Sequence, residues 1–329
     1  MHVREIPTIH RRHCNKMTTE FYILCCETVK NGGGIYLFAM ESGVPKEKKY
    51  FPCDRPMYAV KCDKGLCVLL RAPFPNSDES GYFFIDGALS QSEPIVGTRG
   101  VVACHLTVDL DLVYVANYIS GNVVKNGELV AQRIGNGPHP TRQTSPHLHF
   151  VAKTKDGNLL ACDLGTDTLA LYDTQLQPIS EAQVPDGYGI RHLALSKDSN
   201  TIFAINELVP SVSIFRYATS SLSYVGTLNI PCRNERADGA AIRLSDDGKR
   251  LYVSLREENE ICVFDVDGED ISLVGRFSSG GNSPRDFHLI DDYLIVTNEK
   301  SGNVVGFVLN NDTPSKHFEI QLPAPLCVL

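Results

Sequence analysis

His149, Arg191, Glu207, Arg256, Arg285 and Glu299 are the residue types that acid–base chemistry on an anion calls for. An imidazole, with an unperturbed pKa of about 6.5, suits proton transfer near neutrality. Guanidiniums grip a carboxylate or phosphate in a bidentate fork and stabilise a developing oxyanion. A carboxylate among arginines loses basicity, while burial acts in the opposite direction, so these residues leave the base open between His149 and Glu207. The six are spread between positions 149 and 299, so no single element holds them. Only a repeated framework would bring them together.

Other chemistries are disfavoured. The 11 cysteines form no CxxC pair and no Cys/His spacing suited to tetrahedral zinc, so no metal site is expected. Several, such as Cys25, Cys67, Cys162 and Cys262, sit in apolar runs, where a free thiol packs as a small hydrophobe. That usage predicts a reducing compartment, the cytoplasm. A net charge of -8 without a basic stripe argues against nucleic acid. No apolar stretch approaches the roughly 18 residues of a membrane helix, so no membrane association is expected.

The framework is a repeat. A hydrophobic strand, a polar turn and a second alternating strand recur seven times, from FYILCCETVKNGGGIYLF to YLIVTNEKSGNVVGF. The residues closing the first strand of each unit, Cys25, Leu70, Asn117, Asp163, Asn206, Leu255 and Asn298, lie 43 to 49 positions apart. A period of about 40 to 50 residues is that of propeller blades. Six units are preceded by another apolar strand and a charged turn, as in HFVAKTKDG. The first lacks it, and the unmatched C-terminal LPAPLCVL supplies it. The prediction is an all-β, seven-bladed propeller of four-stranded antiparallel blades over residues 18–329, closed by the C-terminal strand. Residues 1–17, rich in arginine, are expected to form an unstructured extension.

In such a blade the start of the innermost strand and the end of the next share one end of the ring, because the strands are antiparallel. The first position reads Met57, Cys104, His149, Arg191, Ala240 and Arg285; the second reads Arg71, Tyr118, Leu164, Glu207, Arg256 and Glu299. Charge gathers in blades four to seven, as at a binding site for a small anion, since the fold needs no such charges. Arg191 with Glu207, and Arg285 with Glu299, could equally be ion pairs tying two strands. His147 has a structural reading beside that of a supporting partner. Asn117, Asn206, Asn298 and Asp163 are expected to bond their own turns.

At RQTSPHLHFV, DLGTD, GIRHLALS with AINE, AAIRLSDDGKRLYVSLRE, and SPRDFHL with VTNEKSGNV, the chain resembles the seven-bladed lactonase family. That family contains bacterial 6-phosphogluconolactonase and the fungal carboxy-cis,cis-muconate lactonizing enzyme. The resemblance runs from about Thr18 to Leu329 and departs at Leu255, where the family usually has Asn, and in the long blade-two stretch RAPFPNSDESG. It implies a catalytic set of His149, Arg191, Glu207 and Arg256, no metal and no cofactor. Arg285, Glu299, His147 and Arg142 are then candidates for holding the substrate, a small anionic lactone. The expected reaction is hydrolysis of 6-phosphogluconolactone; cycloisomerisation of a muconate, or binding without catalysis, are the alternatives.

Overall fold

The apolar runs of the repeat become strands whose burial follows their place in each blade. Second strands such as Leu159–Asp163 are buried throughout, because neighbouring blades cover both faces. Outermost strands such as Asp270–Ser278 are largely exposed. The computed structural model describes residues 19–329 except 219, 311 and 312, so the expected extension at 1–17 lies outside the described residues.

Seven four-stranded antiparallel sheets form the ring, with no helix among the described residues beyond a 3-10 turn at Val29–Asn31. The inner strands of blades two to seven are Pro56–Cys62, Ala103–Asp109, Leu148–Lys153, Ile190–Leu195, Gly239–Leu244 and Pro284–Ile290. In blade one the inner strand is Pro325–Val328, which pairs with Glu20–Cys25 and seals the ring with the two ends of the described chain. The core is divided among the interfaces between blades. Phe150, Leu160 and Leu171 of blade four pack with Ile190, Ile202 and Phe215 of blade five. Phe21, Ile23 and Phe38 of blade one join Ile295, Val304 and Phe318 of blade seven across the closure.

Every inner strand carries a bulge near its start. Leu148 pairs with Asp163 and Phe150 with Cys162, so two steps on one strand match one on its partner. The same slip falls at Pro56/Tyr58, Ala103/His105, Ile190/His192 and Pro284/Asp286, at Pro325/Cys327 in blade one, and in blade six between Gly239 and Ile242, where three steps match two. A bulge re-aims the extra residue. Met57, Cys104, His149, Arg191, Arg285 and Leu326, each the residue stepped over, accordingly line one central cavity.

The asparagine expectation is corrected. Asn117 Nδ2 donates to Thr98 O of the preceding blade and to Asn122 Oδ1, and Asn206 Nδ2 to the hydroxyls of Ser211 and Ser213. Asn298 Nδ2 donates to Ser279 O. These side chains reach across strands and blades instead of closing their own turns, because the turn amides already have backbone partners: Gly121 N donates to Asn117 O and Gly302 N to Asn298 O. Asp163 does brace its turn, accepting from Gly165 N at 3.0 Å and from His147 N at 2.7 Å.

Candidate active site

One backbone hydrogen bond, repeated in all seven blades, fixes the site's rim. The amide of the residue following each second strand donates to the carbonyl two residues ahead of the bulged position: Cys26 to Ala324, Arg71 to Arg55, Tyr118 to Val102, Leu164 to His147, Glu207 to Gly189, Arg256 to Asp238 and Glu299 to Ser283, all between 2.7 and 3.2 Å. The two columns read from the sequence are therefore held together by the backbone. Their side chains decide the chemistry.

Glu207 is the hub. It is 2% exposed, and its Oε2 accepts from Arg191 Nε at 2.8 Å while Oε1 accepts from Arg142 Nη2. Arg256 Nη2 lies 3.2 Å from Glu207 Oε1 and 3.2 Å from Asp238 Oδ2, within ion-pair range of both but aligned for a hydrogen bond to neither. Arg256 Nε is also buried, with no hydrogen-bond partner among the described residues. Arg191, 2% exposed, spends Nη1 on the carbonyl of Ala240, where the bulge of blade six presents only a methyl group. Burial alone would raise the Glu207 carboxyl, but the guanidiniums of Arg256, Arg191 and Arg142 hold it well below the usual carboxylate range. Burial brings Arg191 down to about 10 against the pull of Glu207, so it stays charged at neutrality.

Arg142 arrives from the long connection between blades three and four. Gln143 pins that loop: its Nε2 donates to Leu164 O at 2.9 Å, and its Oε1 accepts from His139 N at 3.0 Å. His149, 5% exposed, has a buried Nδ1 with no partner among the described residues. Burial, reinforced by Arg191, pushes its imidazole well below the ordinary range despite the pull of Glu207, so it is neutral at physiological pH. His147 stacks on Tyr118 at 4.4 Å with its Nδ1 3.0 Å from Tyr118 O, and the same Tyr118 ring meets His149 edge-on at 5.7 Å. Arg285 pairs with Glu299 at 3.5 Å.

All eight residues singled out in the sequence thus fall in this region. His149, Arg191 and Arg285 share the cavity; Glu207, Arg142 and Arg256 interlock with Arg191; His147 stands behind Tyr118; Glu299 holds Arg285. Both ion pairs within blades, Arg191–Glu207 and Arg285–Glu299, are present. Sequence reasoning missed Asp238 and His192. Asp238 occupies the same repeat position as His147, two residues before the bulged one, and a third column read across the blades would have found it.

Two bulge-borne guanidiniums, Arg191 of blade five and Arg285 of blade seven, sharing a cavity with a neutral imidazole suit a reaction that moves a proton and gathers negative charge. Residues 80–329 match the family model "Lactonase, 7-bladed beta-propeller". The chain belongs to this lactonase family. An uncharacterized protein of Lactococcus lactis subsp. lactis is 30% identical over 302 residues, covering 84% of this chain and 88% of its own. Among solved structures, a Bacteroides fragilis protein named a "putative 6-phosphogluconolactonase" superposes with a TM-score of 0.85 at 25% identity, covering 98% of this chain and 99% of that one. The periplasmic gluconolactonase of Pseudomonas aeruginosa shares the fold, with a TM-score of 0.82 at 22% identity over 94% of this chain and 98% of its own. No helix among the described residues of this lactonase-family chain is long and apolar enough to cross a membrane.

Proposed function

We propose that this protein opens a sugar lactone by hydrolysis, with 6-phosphogluconolactone as the preferred substrate. The observation that carries the reading is a neutral, buried His149 sharing its cavity with Arg191 and Arg285, near an Arg256 whose Nε meets no hydrogen-bond partner among the described residues. A substrate carboxylate or phosphate would supply one. The name borne by the Bacteroides fragilis structural relative supports the same substrate class.

In the reaction His149 accepts a proton from water as the water oxygen adds to the lactone carbonyl carbon. Arg256 and Arg285 face the negative charge of the substrate and of the oxyanion. Collapse breaks the bond from carbonyl carbon to ring oxygen, and the leaving oxygen takes the proton back from His149. Glu207, held by three guanidiniums, orients Arg191 and Arg256 and is the poorer base. No metal or cofactor enters this scheme. The ten described cysteines are all free thiols, which favours the cytoplasm as the working compartment.

The test is an assay on freshly prepared 6-phosphogluconolactone, corrected for spontaneous opening, beside gluconolactone and 3-carboxymuconolactone, each with and without EDTA. EDTA-resistant hydrolysis fastest on the phosphorylated lactone is expected. Turnover of the muconolactone alone would assign cycloisomerase chemistry, and turnover of none would leave a binding protein.

A further inference from the structure

Next to each bulged residue stands a second residue of the inner strand: Tyr58, His105, Phe150, His192, Ala241, Asp286 and Cys327. This tier is a packed plug in blades two to five, with ring centroids 4.2 Å apart for Tyr58 and His105, 3.9 Å for His105 and Phe150, and 4.9 Å for Phe150 and His192. His192 is anomalous within it. It is 5% exposed, and neither ring nitrogen meets a hydrogen-bonding group of the described residues. A buried polar atom left without a partner destabilises the fold. The fold does not require an imidazole at this tier, since blades four, six and one use Phe150, Ala241 and Cys327.

His192 and His149 border the same cavity, together with Arg191, Arg285 and Asp286, and their rings lie 5.1 Å apart. The cavity measures about 30 Å³, too small for any sugar. One water needs about 10–15 Å³ on this measure and two to four polar partners. The lining is mostly apolar, from Met57, Tyr58, Cys104 and Leu326, and its polar groups come from His149, Arg191, His192, Arg285 and Asp286, so it adjoins the proposed base.

We propose that this cavity seats the hydrolytic water and that His192 is the positioning residue that holds it for His149. The inference rests on the reading of His149 as base. A substrate on Arg256 and Arg285 covers the cavity from above, and the water attacks from below: its oxygen bonds to the carbonyl carbon, one proton passes to His149, and the ring oxygen leaves with that proton. His192 donates to or accepts from the water and undergoes no net protonation.

His192→Phe and His192→Gln test this by kinetics, by calorimetric binding of the product 6-phosphogluconate, and by urea unfolding. For His192→Phe, kcat should fall by roughly 10–100-fold, the scale of a misplaced reactant. KM and product affinity should hold, and the unfolding midpoint should stay level or rise. His192→Gln, which keeps hydrogen-bonding capacity, should recover most of kcat. Wild-type kcat in His192→Phe, or a loss that merely tracks destabilisation in both variants, overturns the role. If the wild-type protein opens no lactone, the functional reading fails separately, and the seat is judged by a high-resolution crystal structure: a water within hydrogen-bond reach of both His149 and His192 supports it, and its absence overturns it.

Discussion

In the proposed reaction, Glu207 and His149 divide the work that their residue types left open. A carboxylate that accepts from Arg191 and Arg142 and faces Arg256 has little appetite for a proton, whereas a neutral imidazole beside the cavity has a free nitrogen. The two therefore respond differently to isosteric change. Glu207→Gln removes the carboxylate that three guanidiniums share, and breaking such a buried set costs about 3–5 kcal/mol. It should lower the unfolding midpoint and raise KM together with a loss of kcat. His149→Asn should cut kcat by about 10²-fold or more with the midpoint unchanged or raised. Equal stability losses in both variants, measured by urea titration beside steady-state kinetics, would reduce His149 to a packing residue. The residue types were legible in the sequence, but their division of labour was not. It depends on Arg142, which reaches Glu207 across 65 positions from a loop with no repeat to index it.

At the scale of strands, the period and the missing first strand made the closure legible, and the C-terminal segment does pair into blade one. The bulges were not legible. Strand composition marks which runs pair, but a slip of one residue shows only in the register, and that slip turns Arg191 and His192 inward together. The asparagines were misread for a related reason: their turns looked self-sufficient, while their amides bridge to other strands. Closure gives this scale its prediction. Leu326, Cys327, Val328 and Leu329 are 7%, 1%, 1% and 7% exposed, and their removal would open the edge of Glu20–Cys25 and uncover the seam between blades one and seven. A chain ending at Gln321 should show no cooperative thermal transition by circular dichroism. A sharp melt within a few degrees of the full chain would mean that the closing strand is dispensable.

Over the whole molecule, the channel gathers histidines that cannot readily ionise. Burial lowers His105, His149 and His192 well below the ordinary range, aided by nearby arginines, and brings His288, on the inner strand of blade seven, down to about 4. Unfolded, each would titrate near 6.5. Between that value and the lowered native one, the unfolded chain binds protons that the native ring refuses. Stability must therefore fall as the pH drops below about 6.5, by up to about 1.4 kcal/mol per pH unit for each histidine. Glu207 acts in the same direction at lower pH: its depressed native pKa contributes stability that is present above about 4.3 and is lost as the pH falls through the native value. Urea midpoints should be nearly level from pH 8 to 7, then decline steeply from 6.5 towards 5, before the carboxylates take part. His192→Phe removes one of the four groups and should make that decline shallower without changing the plateau slope. A wild-type midpoint that is the same at pH 7.5 and 5.5 would mean that the channel histidines take up protons in the folded ring, and with that the neutral His149 on which the proposed chemistry depends would be lost.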